Sequence, residues 1–389
     1  MKILKRIILF FTILICLLIV LAYIFKVDYI LKAIRITYLN GHKTAFLTDY
    51  QEFYNRTIGT DVAQPWHVHT NYNTVPSTGE LDKMHQETGT IAFLIIKNDS
   101  IWHESYYDGF EKDSKSNSFS MAKSIVSAAL GKAIMQQKIK DINQPVKDFI
   151  PEIQGQYADV VTVGDLSSMA SGLDWDESYY SPFSVTTRAY FDEDLNKLLL
   201  GLKITEEPGK SYKYLSGATQ LLGMVIEKAT GEKLTDYISE NFWKPMGAEN
   251  EALWQVDNPE GIEKAYCCIA SNARDFARFG KLYKQKGNWN GQQLLDSTFV
   301  EMSVKPRFKE SPEYGYGWWL SNHLQKDIFY MNGHLGQYVI VIPEDELIIV
   351  RLGHRKHPEK VDEYTTKDFN VFVEEAYKML ESKDITKTQ

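Results

Sequence analysis

Cysteine is nearly absent from this 389-residue chain, which has three. Cys16 lies inside an apolar run, and Cys267 and Cys268 are neighbours whose Cα atoms are too close for ordinary disulfide geometry. The sequence therefore predicts neither a disulfide framework nor a cysteine-rich zinc site. Positive charge is not in excess either: Lys plus Arg number 43 against 51 Asp plus Glu, a formal balance of -8. That leaves no basic surface for a phosphate backbone, and no nucleic acid is expected as a partner. A G-x-S-x-G elbow, a P-loop, H-E-x-x-H and G-x-G-x-x-G are all missing, which removes several large enzyme classes. The paired histidines are His67-Val-His69 and His354-Arg-Lys-His357, and neither has partners at metal-ligand spacing, so no metal and no cofactor is expected. Low-complexity tracts and internal repeats are also lacking. With 44% hydrophobic and 24% charged residues the composition is globular, and the length suits two or three compact units or one two-lobed enzyme.

What is present begins with Ile7 to Phe25, nineteen positions without a charge, preceded by Lys2, Lys5 and Arg6. The run is long enough to cross a bilayer, whereas a helix in a water-soluble core keeps a polar stripe. A signal peptide has a shorter apolar stretch ending at a small-residue cleavage site, for which Val20-Leu21-Ala22 is a poor candidate. Residues 1–26 are therefore read as an uncleaved membrane anchor, with a signal peptide as the alternative. Ile15 precedes Cys16 where a lipoprotein signal wants a small residue. Lys26, Lys32 and Arg35 nearly balance the positive charges before the span, so charge leaves the orientation open. The working expectation is a membrane-anchored protein whose catalytic domain is extracytoplasmic, periplasmic or at the cell surface.

Residues 27–75 read as a membrane-proximal helix and an extended lead-in, and 76–385 as the main domain. Gly79 to Glu87 suits a short helix. Thr90–Lys97 and Ser100–Tyr107 are strand-like and flank the two-residue turn Asn98-Asp99, which predicts a β-hairpin. From Ser120 to Gln136 small and apolar residues recur at helical spacing. Helical patterns continue through Val163–Met169, Leu195–Leu200 and Ala218–Thr230, the last stopped by Gly231. Strands return at Ile328–Met331, Gln337–Ile342 and Glu346–Arg351, followed by a helix over 366–381 with one apolar stripe. Strands at both ends around a helical insertion predict an α+β fold: an antiparallel sheet flanked by helices, with a sheet lobe at about 76–117 and 290–385 and a helical lobe at about 118–289.

Ser120-Met-Ala-Lys123 opens the buried helix. Serine and lysine three apart share a helix face, and a lysine whose pKa is lowered by burial can take the proton of a weakly nucleophilic hydroxyl. The helix N-terminus adds its dipole and free N–H groups. Alone the pattern is weak. Two further segments accompany it: Pro208-Gly-Lys-Ser-Tyr-Lys-Tyr214-Leu-Ser216, and Gly333-His334-Leu-Gly336-Gln337 leading into a strand. Together, in this order, the three resemble the serine β-lactamase and penicillin-binding-protein superfamily, specifically the class C β-lactamase-like hydrolases that include esterases, D-aminopeptidases and 6-aminohexanoate-dimer hydrolases. Further stretches resemble the family at Asp165–Trp175, Ala270–Asp275 and Tyr314–Trp319.

The resemblance implies that Ser120 is acylated, that Lys123 deprotonates it, and that Tyr214 passes a proton to the leaving group and activates water; which of Lys123 and Tyr214 is the primary base stays open. It implies an oxyanion hole from the N–H groups of Ser120 and Gln337, with His334, Gly336 and Ser216 lining the substrate site. Tyr179 and Tyr180 resemble aromatics near the substrate in amide-cleaving relatives, and a packed loop explains them equally well. His334 stands where β-lactamases and transpeptidases carry a lysine that binds a carboxylate, and Ser216 replaces an asparagine. These departures favour a small ester or amide over an anionic lactam. The alternatives are a true β-lactamase or D-Ala-D-Ala carboxypeptidase, and a non-hydrolytic sensor or binding module. Oligomeric state has no sequence signature here.

Overall fold

In the computed structural model, which describes residues 1–386 with side chains through 382, seven strands form one sheet. They are β1 (His67–Val68), β2 (Thr90–Lys97), β3 (Ser100–Tyr106), β4 (Trp319–Ser321), β5 (Ile328–Gly333), β6 (Gln337–Ile342) and β7 (Leu347–Gly353). Their order is β4-β5-β6-β7-β2-β3-β1, antiparallel except where β1 joins β3. The C-terminal strands thus complete the sheet begun by the β2–β3 hairpin through the β7–β2 ladder, which pairs Leu347 with Lys97. The hairpin turn at Asn98 and Asp99 has φ of 48° and 56°, as a two-residue primed turn requires. Strands β6 and β7 are buried along their whole length because both faces of the sheet are covered, so they read as continuous apolar runs.

The helices used below are α1 (Lys2–Ile24), α2 (Tyr29–Ala33), α3 (Gly79–Thr88), α4 (Ala122–Met135), α5 (Ser216–Thr230), α6 (Ala273–Lys284) and α7 (Lys367–Thr386). Helix α6 covers one face of the sheet against β2, β6 and β7, and α7 packs with α3 and β7 on the other. Phe369 lies 4.6 Å from Tyr330 and Phe372 5.7 Å from Phe93, ring centre to ring centre, which fixes α7 to the strands. Helices α4 and α5 pack together in the helical part. Helix α1 has no buried residue and, at 1.5 Å per residue, extends roughly 35 Å, a span that an anchor and a signal sequence share.

Three findings depart from the sequence reading or add to it. The region read as helical also contains strands Ala252–Gln255 and Ile269–Ser271, which join Asn55–Ile58 and Ser116–Asn117 in a second, four-stranded antiparallel sheet. Residues 27–75 are woven into the body, since Asn55–Ile58 enters that sheet and His67–Val68 edges the large one. Cys267 and Cys268, for which no disulfide was expected, are bridged with Cα atoms 3.7 Å apart. Cys268 has a left-handed φ of 76°, and the bridge is local and links no distant segments.

Helix α4 approaches the segment after α6 closely at Gly131, where a Cβ would stand 2.4 Å from the Phe299 ring. Gly131→Ala would gain about 1 kcal/mol of helix propensity and lose about 1–3 kcal/mol to overpacking. The expected outcome is a lower midpoint of chemical denaturation, and an unchanged or higher midpoint contradicts this packing.

Candidate active site

Strand Ser116–Asn117 delivers the chain into a single tight turn, Phe119–Met121, ahead of α4. Phe119 has φ of 45°, a left-handed conformation costly for an aromatic residue, and its N–H donates to Asn117 Oδ1 at 2.9 Å. The Ser118 N–H donates to Ile269 O at 2.7 Å, which ties the turn to the smaller sheet. The end of β5 approaches equally closely: a Cβ on Gly333 would lie 2.4 Å from Ser118 O. Ser120 is thereby placed beside the start of β6.

Lys123 follows one turn later, 3% exposed, with Nζ 3.0 Å from Ser120 Oγ and donating to Tyr266 O at 2.8 Å. Burial pulls its pKa down to about 8, and the Glu177 carboxylate opposes the shift. About a tenth of Lys123 is then neutral at pH 7. The ring of Tyr214 lies 5.1 Å from Lys123 Nζ, and the nearby Ser120 opposes the rise of its pKa. Burial first, then Tyr314 and Glu177, hold the Tyr214 pKa well above 10, so this group is a phenol at neutral pH.

His334 sits at the β5–β6 turn, stacked on Tyr179 at 5.6 Å, edged by Phe119 at 5.5 Å, and 3.4 Å from Thr44 Oγ1 through Nε2. Burial, aided by the Lys356 charge, lowers its pKa to about 4, so the ring is neutral. Leu335 within the turn has φ of 64°. The guanidinium of Arg351 holds that turn, donating to Leu335 O at 3.0 Å and Gly336 O at 2.8 Å.

Ser120, His334, Ser216, Tyr179 and Tyr180 line one cavity of about 110 Å³. Gly336 and Gln337 stand behind it. A Cβ on Gly336 would meet Arg351, and the Gln337 side chain is engaged with His334 O and Gly353. The Gln337 side chain is therefore committed, and the residue is fully buried. Ser216 is also committed: its N–H and hydroxyl donate to Glu177 Oε2 and Oε1, each at 2.6 Å.

Glu177 escaped the sequence reading. Its carboxylate caps the N-terminus of α5, accepts from the Tyr179 hydroxyl at 2.5 Å, and acts electrostatically on Lys123 and Tyr214. Its partner Ser216 is remote in sequence, and the only local hint is the acidic stretch Asp174-Trp-Asp-Glu177. Among the described residues no group of three His, Cys, Asp or Glu side chains is placed to hold a metal ion.

The Beta-lactamase family profile matches residues 78–369, which includes every one of these side chains except Thr44. The chain belongs to the β-lactamase family. It is a serine hydrolase of that superfamily, with Ser120 Oγ and Lys123 Nζ in contact. The 6-aminohexanoate-dimer hydrolase of Paenarthrobacter ureafaciens is 26% identical over 303 residues, 72% of this chain and 76% of its own length. A Bacillus anthracis structure provisionally described as a 6-aminohexanoate-dimer hydrolase superposes with a TM-score of 0.69 at 20% identity, covering 84% of this chain and 89% of its own. A D-stereospecific amidohydrolase from Streptomyces sp. gives a TM-score of 0.56 at 15% identity, over 71% and 93% of the two chains. These superpositions establish the β-lactamase fold.

Because Lys123 loses its proton near pH 8, the second-order rate of Ser120 modification by a fluorophosphonate is expected to rise through an apparent pKa near 8. Removing the Glu177 charge in Glu177→Gln takes away a stabiliser of the ammonium, so the midpoint moves to lower pH. A midpoint that stays put or moves upward contradicts the coupling.

Proposed function

We propose that this member hydrolyses small, uncharged esters or amides through an acyl-enzyme on Ser120. The observation that carries the reading is the buried Lys123 amine, 3.0 Å from Ser120 Oγ with a pKa near 8. In this mechanism neutral Lys123 accepts the Ser120 proton as Oγ attacks the acyl carbon. Tyr214, a phenol rather than a phenolate, relays that proton to the departing alkoxide or amine as the C–O or C–N bond breaks. Water then adds to the acyl carbon, its proton passes through Tyr214 and Lys123 to Ser120 Oγ as the acyl carbon–Oγ bond breaks, and the acid leaves. The raised Tyr214 pKa favours Lys123 as primary base. The N–H groups of Ser120 and Gln337 serve the oxyanion, consistent with the nucleophile turn packing against β6.

A neutral His334 supports an uncharged substrate over one bearing a carboxylate, as in lactams and D-Ala-D-Ala termini. We further propose that α1 remains as an anchor and that the body lies outside the cytoplasm, a reading supported by the length and apolar composition of α1.

Steady-state kinetics on matched ester, amide and cephalosporin substrates test the reading. Ser120→Ala is expected to abolish turnover and Lys123→Ala to lower kcat/KM by about a thousandfold or more. His334→Ala is expected to change relative substrate preference while retaining turnover. Normal turnover by Ser120→Ala, or a cephalosporin rate well above the esters, overturns the assignment.

A further inference from the structure

The segment between the apolar helix and the family core forms one wall of the Ser120 pocket. Ala33, Thr37, Tyr38 and Thr44 line the cavity together with Ser120 and His334. Five Cα steps join Ile24, the last residue of α1, to Tyr29, the first of α2, a distance of at most roughly 17 Å. Helix α2 is not free to swing away. The Tyr29 hydroxyl donates to Pro182 O at 3.0 Å, and Tyr29, Ala33 and Ile36 pack with Phe191 in a small apolar cluster. Pro182 belongs to the loop that carries Tyr179, stacked on His334. An unbroken chain of contacts therefore runs from the end of α1 to the nucleophile.

At this mouth the lining residues Tyr38 and Tyr180 stand exposed, and Leu39 and Phe183 adjoin the lining residues Tyr38 and Pro182 in the chain. Leu39 is 76% exposed, Tyr180 76%, Phe183 75% and Tyr38 62%. Phe183 borders the same recess as Tyr23 and Phe25 at the end of α1. Lys26, Arg35 and Lys43 stand exposed on the same stretch of chain. Aromatic and aliphatic side chains beside scattered cations are what a protein surface presents to a bilayer interface, and the short link keeps α2 near one end of α1. The enclosed cavity is small, so the remainder of any larger substrate must lie across the apolar lips.

We infer that the small, uncharged ester group is borne by an amphiphile resident in the bilayer, and that it reaches Ser120 from the membrane across the lips formed by Tyr38, Leu39, Tyr180 and Phe183. The inference rests on the hydrolase reading and on α1 remaining attached. Its acyl-transfer step is the one already described: Ser120 Oγ bonds to the acyl carbon, the ester C–O bond breaks, and the proton leaves with the alcohol.

The test uses the full chain reconstituted in vesicles of phosphatidylcholine and phosphatidylglycerol, with 4-methylumbelliferyl butyrate as the soluble ester and 4-methylumbelliferyl oleate as the membrane-resident one. The double variant Leu39→Ser, Phe183→Ser is expected to lose about tenfold or more in oleate turnover while its butyrate turnover stays within about twofold of the parent. Equal losses on both esters, or an unchanged oleate rate with butyrate still hydrolysed, overturns the membrane route and leaves the hydrolase reading standing. Absence of turnover of either ester by the parent chain overturns both.

Discussion

The Lys123 side chain has been taken out of water and held against Ser120, and the surrounding fold is organised by the cost of doing so. A pKa near 8 in place of 10.5 means that the charged form is disfavoured by roughly 3 kcal/mol. The folded state binds fewer protons than the unfolded chain between those pH values, so the fold bears this cost fully below pH 8 and is relieved of it as pH rises toward 10.5. Partial compensation comes from the Tyr266 carbonyl, the face of Tyr214 and the nearby Glu177 carboxylate. A lysine left fully solvated would remain an ammonium at neutral pH, with no lone pair for a serine proton.

Three of the chain's left-handed non-glycine residues lie around the same centre. Phe119, Cys268 and Leu335 adopt left-handed φ without being glycine: Phe119 in the turn that carries Ser120, Cys268 just before the strand that pairs with Ser116–Asn117, and Leu335 in the β5–β6 turn. Such conformations persist where neighbouring structure over-determines them. Here that support is specific: Asn117 holds Phe119, and Arg351 holds the carbonyls around Leu335. Arg351 is wholly buried and also donates to Thr88 O at 2.7 Å, so the turn carrying His334 is braced against the C-terminal end of α3.

Local signals were well recorded in the sequence. The Asn98-Asp99 turn, the strand Gln337–Ile342, the helix Leu195–Leu200 and the long helices after Ser120 and Tyr214 each follow from turn chemistry or hydrophobic period over a few residues. The contact of Ser120 with Lys123 was legible for the same reason, being three residues apart on one helical turn. Convergence of Tyr214 and His334 came from the order of three motifs, which no single motif carries. What stayed hidden depends on long separations. The Glu177 cap on Ser216 spans 39 residues, and the Thr44 contact with His334 spans 290. The second sheet is built from strands of two to four residues, too short for a period to emerge. The Cys267–Cys268 bridge goes with a left-handed φ at Cys268 that residue identity does not announce.

Everything functional rests on Ser120 being activated by Lys123 and acylated. The most direct measurement is intact-protein and peptide mass after brief exposure of the full chain to an activated short-chain ester and acid quench, with Lys123→Ala in parallel. A single acyl group on the peptide containing Ser120, formed in the parent and not in the variant, is the predicted result. Acylation elsewhere, or equal acylation of Ser120 without Lys123, would contradict it.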